Sequence, residues 1–336
     1  MACNFQLILG GPVNGNVMPQ KKSLQLAPIA DLTPFLGDGE LVALNVGPDF
    51  QLYAVIALNE LDYRIEASTG VSFAKTTPDT PQSYRVIAFY DGNITLDVRI
   101  ANETFNIHDI QPLPKGELLL VCCRSRYKGP NDFDKNGRVY SSNGELVREV
   151  LLGDGIQRVQ TTSNGTIWTS FFDEGVFGNY GWDNPVGSSG LVAWDSHGKR
   201  LYDFQPANGL DSICDCYALN VESDSSTWLY YYTEFPLVHL RDQQIESHWA
   251  MPVRGSGAFA VSDGFALFTG EYDKRNDYHL FELGRHGNIK EVMKLKVTDE
   301  DNQRLLAEMV FGRSGSLYIV RNGHVYRCDV RQAAGA

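Results

Sequence analysis

One pattern recurs six times along the chain and limits its architecture more than any other feature. Each instance is a short apolar run, a tight turn and a second apolar run. The instances read ALNVGPDFQLYAV from Ala43, DIQPLPKGELLLV from Asp109, RVQTTSNGTIWTS from Arg158, ALNVESDSSTWLY from Ala218, GAFAVSDGFALFT from Gly257 and EMVFGRSGSLYIV from Glu308. Five are followed by a second hairpin, starting at Arg85, Gly137, Gly190, Leu237 and Tyr278. Asn164-Gly165, Asn143-Gly144, Asp263-Gly264 and Asp91-Gly92 supply the positive φ that tight hairpins need. No long segment has a helical period, and short Val, Leu, Tyr and Phe runs between Gly, Asn, Asp and Ser turns are an all-β signature.

Units of about 40 to 50 residues with four strands each are propeller blades. The expected fold is therefore all-β, a single six-bladed β-propeller. Its blades fall near residues 41–101, 104–152, 156–207, 213–254, 256–297 and 306–330. The last unit has only three strands, ending near His324, so its fourth strand is expected from the N-terminus, with SLQLAP at residues 23–28 the best candidate. Such closure removes exposed sheet edges. A pair of β-sandwiches is the structural alternative. In general layout, over nearly its whole length, the chain resembles the six-bladed β-propeller group. The WD spacing and the kelch double glycine of related repeat families are absent, so the resemblance names no subfamily, and a fold does not settle a function.

With 336 residues, 43% of them hydrophobic and 21% charged, the chain can bury a large core. A formal net charge of -12 argues against a nucleic-acid partner, which needs a basic footprint, and favours a cationic ligand or partner. No apolar run approaches membrane-spanning length, and the N-terminus lacks the features of a signal peptide. Six cysteines (Cys3, Cys122, Cys123, Cys214, Cys216 and Cys328) are too few for a disulfide framework in a chain this long. Cys214 and Cys216 share a strand face, but without a CxxC or His partner they read as buried thiols. Free thiols point to a cytoplasmic setting.

The unit boundaries place the long insertions on one face. They span residues 59–83, 124–136, 173–189 and 271–277. Insertions on one face of a repeat array mark the binding face. The most elaborate is FFDEGVFGNYGWDNPVGSSG, residues 171–190, rich in glycine and aromatics and carrying Asp173 and Glu174. At the start of the inner strands one phase is polar: Asn45, Asp109, Gln111, Arg158, Gln160, Asn220 and Glu308. Those side chains either bind a ligand at the channel mouth or hydrogen-bond to neighbouring blades. Just past the second strand, Glu174, Glu234 and Asp273 occupy equivalent positions, with Asn59 in blade one and Arg124 and Arg126 near that position in blade two. Converging oxygens suit a divalent cation such as Ca or Mg, or supply a general acid or base. Six-bladed lactonase-like propellers hold a metal with Glu, Asn and Asp. The resemblance would give Glu174, Glu234, Asp273 and Asn59 that role, though no motif matches residue by residue. The alternative is that these are solvated loop acids.

Tyr127, Phe177, Tyr180, Trp182 and Tyr272 line a pocket or glue the loops together. His108 precedes Asp109 with no nucleophile in view. DFDKNG at residues 132–137 looks like half a calcium loop without its distal Glu. GxSxG, HExxH, Walker and GxGxxG patterns are absent. The candidate ligand-binding set is Asp109, Arg124, Arg158, Asp173, Tyr180, Trp182, Tyr272 and Glu308. The candidate catalytic set is Glu174, Glu234 and Asp273. Two functional classes follow: a module that binds a small molecule, peptide or protein on the long-loop face, including a carbohydrate on Trp182 and Tyr180, or a hydrolase or lyase with an acidic centre, with or without a metal. No sequence motif specifies a cofactor beyond the divalent cation, Ca or Mg, that the acids would suit.

Overall fold

The structure, a computed structural model, describes residues 20–66 and 72–335. Cys3, the Gly-rich LGGPVNGN stretch, the signal-peptide reading and part of the 59–83 insertion lie outside the described residues. Six antiparallel sheets follow one another in sequence, each built from the centre outwards. Their inner strands are Glu40–Val46, Asp109–Leu113, Ile156–Thr161, Asp215–Val221, Phe259–Ser262 and Met309–Arg313. The fold is a six-bladed β-propeller.

The seam differs from the sequence expectation in one respect. Pro28–Asp31 pairs antiparallel with His324–Asp329 and supplies the fourth strand of blade six. Gln20–Gln25 instead runs parallel to Ile289–Thr298 as a fifth strand of blade five. Residues 23–28 are thus split between two blades. The physical reason lies in Leu24 and Leu26. Both are buried with Leu295, Val297 and Tyr326 in the core between blades five and six. The parallel register sets Leu24 beside Val297 and leaves the following residues to cross the seam.

Every blade has two apolar faces, and the ring buries both. Six apolar clusters of the described residues each fill one interface between neighbouring blades. Val55, Tyr84, Ile110 and Leu120 join blades one and two, for example, while Leu44, Phe89, Phe311 and Val320 join six and one. Burial of this kind stabilises by about 25 cal/mol per Å² of apolar surface, so the wedge packing between blades is the main support of the ring.

Polar side chains fill the axis. Asn45 Nδ2 donates to Asp109 at 2.9 Å and to the Val159 carbonyl at 3.2 Å, which links blades one, two and three. Gln111 Oε1 accepts from the Thr161 amide at 3.0 Å. Gln160 accepts from the Val221 amide at 2.6 Å and donates to the Gly312 carbonyl at 2.8 Å, reaching from blade three to blade six. Asn220 donates to Phe259 at 3.1 Å and accepts from the Ser314 amide at 2.7 Å. Arg313, 2% exposed, donates to the Thr161 carbonyl at 2.8 Å. The layer exists because inner-strand amides and carbonyls at the axis have no fifth strand to bond. Buried backbone groups need partners, and amide side chains from neighbouring blades provide them.

Candidate functional site

Above the amide layer the six inner strands diverge and leave a cup of about 510 Å³ on the long-loop face. Asn45, Asp109 and Gln160 belong to its floor, and Tyr217, Gly255, Tyr272, Arg275 and Glu308 also line it. A larger groove of about 1110 Å³ lies at the seam on the opposite face, between Phe50, Tyr90 and Arg331. Its two arginines are already paired, Arg327 with Asp329 at 3.3 Å and Arg331 with Asp263 at 2.6 Å. The axial cup is therefore the better candidate, because it holds a cation with no such partner.

That cation is Arg158. It is half-buried against the cup, and its one hydrogen bond to the described residues is a long one, 3.5 Å to the Val310 carbonyl. Asp109, at the equivalent position of blade two, has an opposite fate. Its oxygens accept from Asn45 Nδ2 at 2.9 Å, the Ile110 amide at 2.8 Å and the Val159 amide at 3.1 Å. Burial pushes its carboxyl above the ordinary range, while those donors and the Arg158 charge pull it back. Asp109 is thus a tie between blades that feels the Arg158 charge, while Arg158 itself is held by the one long bond to Val310. A guanidinium in such a position offers planar paired donors to an incoming anion.

His108 lies beside Asp109 at the wall. Its Nδ1 accepts from the Cys123 amide at 3.3 Å, and its ring meets Tyr63 edge-on at 5.1 Å. Burial holds it down at about 4, so it is neutral in the working range. Glu308 lies at the rim, ion-paired with Arg321 at 3.1 Å. Tyr272 packs its ring on Gly255, whose φ of 71° and close approach leave no room for a side chain. Its hydroxyl lies 2.7 Å from that of Tyr217.

The loop at 171–190 is a clamp. After the second strand of blade three the chain turns into a short helix, Asp173–Phe177, which directs Glu174 back to Arg124 at 2.6 Å. Arg124 is buried and also meets Asp154 at 3.0 Å, with the Tyr180 ring 3.9 Å from its guanidinium carbon. Burial pushes the Asp154 carboxyl up to about 6 even against Arg124. Trp182 donates to the Ser125 carbonyl at 2.8 Å, and Tyr180 donates its hydroxyl to Ala74 of blade one. Arg124, Tyr180 and Trp182, expected as ligand residues, are committed to holding three long loops together. Asp173 is exposed at the start of the helix and accepts from the Glu174 amide at 2.7 Å.

The acids expected to converge are not gathered. Among the described residues no three His, Cys, Asp or Glu side chains are placed to hold a metal ion. Glu174 is bound to Arg124, Glu234 and Asp273 are exposed, and Asn59 accepts from the Ser83 amide at 2.8 Å. Equivalence in the repeat ends with the strand, because the loops beyond it differ in length and path. Residues 132–137 likewise form part of a small hairpin, in which Asp134 accepts from the Arg126 amide at 3.0 Å and meets Lys128 at 3.2 Å.

Sequence reasoning missed Tyr217 and Asp215. Tyr217 reads as one more apolar residue of DCYALNV, and the register irregularity between Asp215 and Ala218 removes the alternation that could have placed either. It also missed a Ser–His–Glu alignment in blade four. Ser226 Oγ is 2.8 Å from His239 Nε2, and His239 Nδ1 is 2.7 Å from Glu246. The distances suit a nucleophile and base, but Ser226 is 3% exposed and also donates to Glu222 at 2.7 Å, which accepts Trp228 Nε1 at 3.0 Å. With His239 stacked on Trp228 at 3.9 Å, the group is an internal lock of the blade.

With this geometry in place, the comparisons add the following. Residues 188–328, under half of the chain, are similar to the model of the YxzG family. A comparison with curated proteins gives no match. Among solved structures, one titled "Streptogramin B lyase structure" covers 85% of this chain and 92% of its own at 10% identity, with a TM-score of 0.46. At that identity and score it bears on neither the site nor the chemistry. No helix of the described residues is long and apolar enough to cross a membrane.

Proposed function

We propose that the protein binds a small molecule in the axial cup and anchors an anionic group of that molecule on Arg158. The observation that carries this reading is a contrast. The other polar inner-strand residues of the floor are satisfied by neighbouring blades, while Arg158 is half-buried with a single 3.5 Å hydrogen bond. Removing a guanidinium from water without a partner costs stability, so such a residue is expected where a ligand completes it. The cup volume lies within the range of small-molecule sites, and its wall is built on the inner strands of the blades. Free cysteines, three of them buried, fit a cytoplasmic setting for that role.

The test is native mass spectrometry of the purified protein, followed by thermal-shift screening with small carboxylates and phosphates. Arg158→Gln is expected to lose co-purifying anionic ligands and to weaken binding of any hit by about tenfold or more. Unchanged affinity in that variant overturns the reading. The divalent-cation centre of Glu174, Glu234 and Asp273 is not carried forward, because those side chains are committed elsewhere or stand apart in solvent.

A further inference from the structure

Two arginines of the cup are brought to one stretch of blade six. Arg158 leaves the inner strand of blade three and reaches the Val310 carbonyl at 3.5 Å, so its guanidinium points toward the opposite blade. Arg275 comes from the loop between the second and third strands of blade five, is exposed at the rim, and lines the same cavity. That loop is tightly folded. The Lys274 amide donates to the Glu271 carbonyl at 2.9 Å, and the Asp277 amide donates to the Lys274 carbonyl at 2.8 Å. Asn276, next to Arg275, accepts from the Ala307 amide of blade six at 2.8 Å, and Asp277 pairs with Arg304. The two anchor points, Ala307 and Val310, are three residues apart, which is at most about 11 Å of chain. The acids of the same lining are already engaged, Asp109 by Asn45 and two amides, Glu308 by Arg321. Much of the remaining wall is apolar, with Val42, Leu44, Leu219 and Met309 in it.

We infer that the molecule held in the cup is a short dianion of the dicarboxylate class, with one carboxylate on Arg158 at the floor and the other on Arg275 at the rim. This inference rests on the cup reading and adds a second anionic group. Arg158 and the neighbour of Arg275 are fastened to points no more than about 11 Å apart on one strand, so a single small molecule can reach both guanidinium groups. The apolar wall suits a hydrocarbon spacer better than a polyhydroxylated one, whose hydroxyls would lose their bonds to water there. The chain carries a net charge of -12, which repels anions at long range, so a dianion needs a second local cation to settle in the cup. Each guanidinium presents paired donors that match a carboxylate. The deep one fixes orientation, and the one at the rim reads length.

The experiment is isothermal titration of the full chain at pH 7.5 with succinate, glutarate and adipate, the monomethyl ester of each, and the monocarboxylate of equal chain length. The expected result is binding by at least one diacid and a loss of about tenfold or more for both its ester and its monocarboxylate. Arg275→Gln, at an exposed position and checked for an unchanged circular dichroism spectrum, is expected to bring the diacid down to the level of its ester. Arg158→Gln is expected to weaken all three forms. Added salt should weaken the diacid more steeply than the ester, because two charges are screened instead of one. If an ester binds as tightly as its diacid, or if Arg275→Gln leaves their ratio at the wild-type value, the inference fails while the anion reading stands. If no diacid in the set binds, the inference is overturned, and the effect of Arg158→Gln on co-purifying ligands decides the cup reading separately.

Discussion

Gln160 of blade three donates its amide to the Gly312 carbonyl of blade six, 2.8 Å away across the propeller axis. The two blades lie on opposite sides of the ring, so this bond spans the space that an open channel would occupy. It succeeds because Gly312 approaches Phe259 of blade five so closely that a Cβ would overlap the Phe259 carbonyl oxygen. Gln160→Leu leaves the Gly312 carbonyl and the Val221 amide without their partners. The expected loss is about 2–6 kcal/mol in urea unfolding, from two buried backbone groups at about 1–3 kcal/mol each. Gly312→Ala is expected to lower the melting temperature further, because backbone must shift.

Arg124 is the centre of the loop clamp. Arg124→Met keeps the apolar stem and leaves Asp154 buried without its cation. The expected cost is about 3–5 kcal/mol, the range for breaking one half of a buried ion pair. Limited proteolysis should show faster cutting within residues 171–190, since Glu174 and Tyr180 lose their anchor together. Wild-type resistance in the variant would mean that Trp182 and its bond to Ser125 suffice to hold the loop.

The Ser226–His239–Glu246 alignment gives a sharp negative expectation. A serine-directed fluorophosphonate should not label Ser226, which is buried with its proton given to Glu222. Ser226→Ala should leave any hydrolytic activity unchanged and cost about 1–3 kcal/mol of stability, because Glu222 and His239 lose a shared partner. Labelling at Ser226 would reverse the assignment of this group as a lock.

Asp215 should titrate with a midpoint of about 6 in a carboxyl NMR experiment. Asp173→Asn should move that midpoint down by removing the neighbouring negative charge, though burial keeps it above the ordinary aspartate range. The linked stability has a definite sign. A carboxyl raised in the folded state contributes its full stability below its unfolded pKa and loses it as the pH rises through the folded value. Between about 4 and 6 the protein should therefore lose less stability with rising pH in Asp215→Asn than in the wild type.

The ring was legible because its punctuation is local. Asn-Gly and Asp-Gly turns fix each hairpin, and alternation fixes which side of each inner strand is polar, so Asn45, Asp109, Arg158 and Gln160 could be placed near the axis from residues alone. Their separate fates could not. Asp109 and Arg158 occupy equivalent positions, yet one meets donors from both neighbouring blades and the other only a distant carbonyl. That difference depends on what the adjacent blade presents, which no single strand encodes. The acids failed for a related reason. Glu174, Glu234 and Asp273 align only up to the last paired residue, and the helix at Asp173–Phe177 then rotates Glu174 toward Arg124. At the seam, Leu24 and Leu26 announced a buried strand correctly, but apolar alternation does not say which of two adjoining sheets will take it.

The bond between opposite blades also means that the cup has one doorway. Whatever enters past the joined phenols of Tyr217 and Tyr272 meets a closed floor and must back out the way it came. Any portion of a guest too long for the interior must then lie over the clamped loops of blades one to three or the Tyr272 turn, so selection by length would be written in those loops and selection of the leading charge in the strands beneath them.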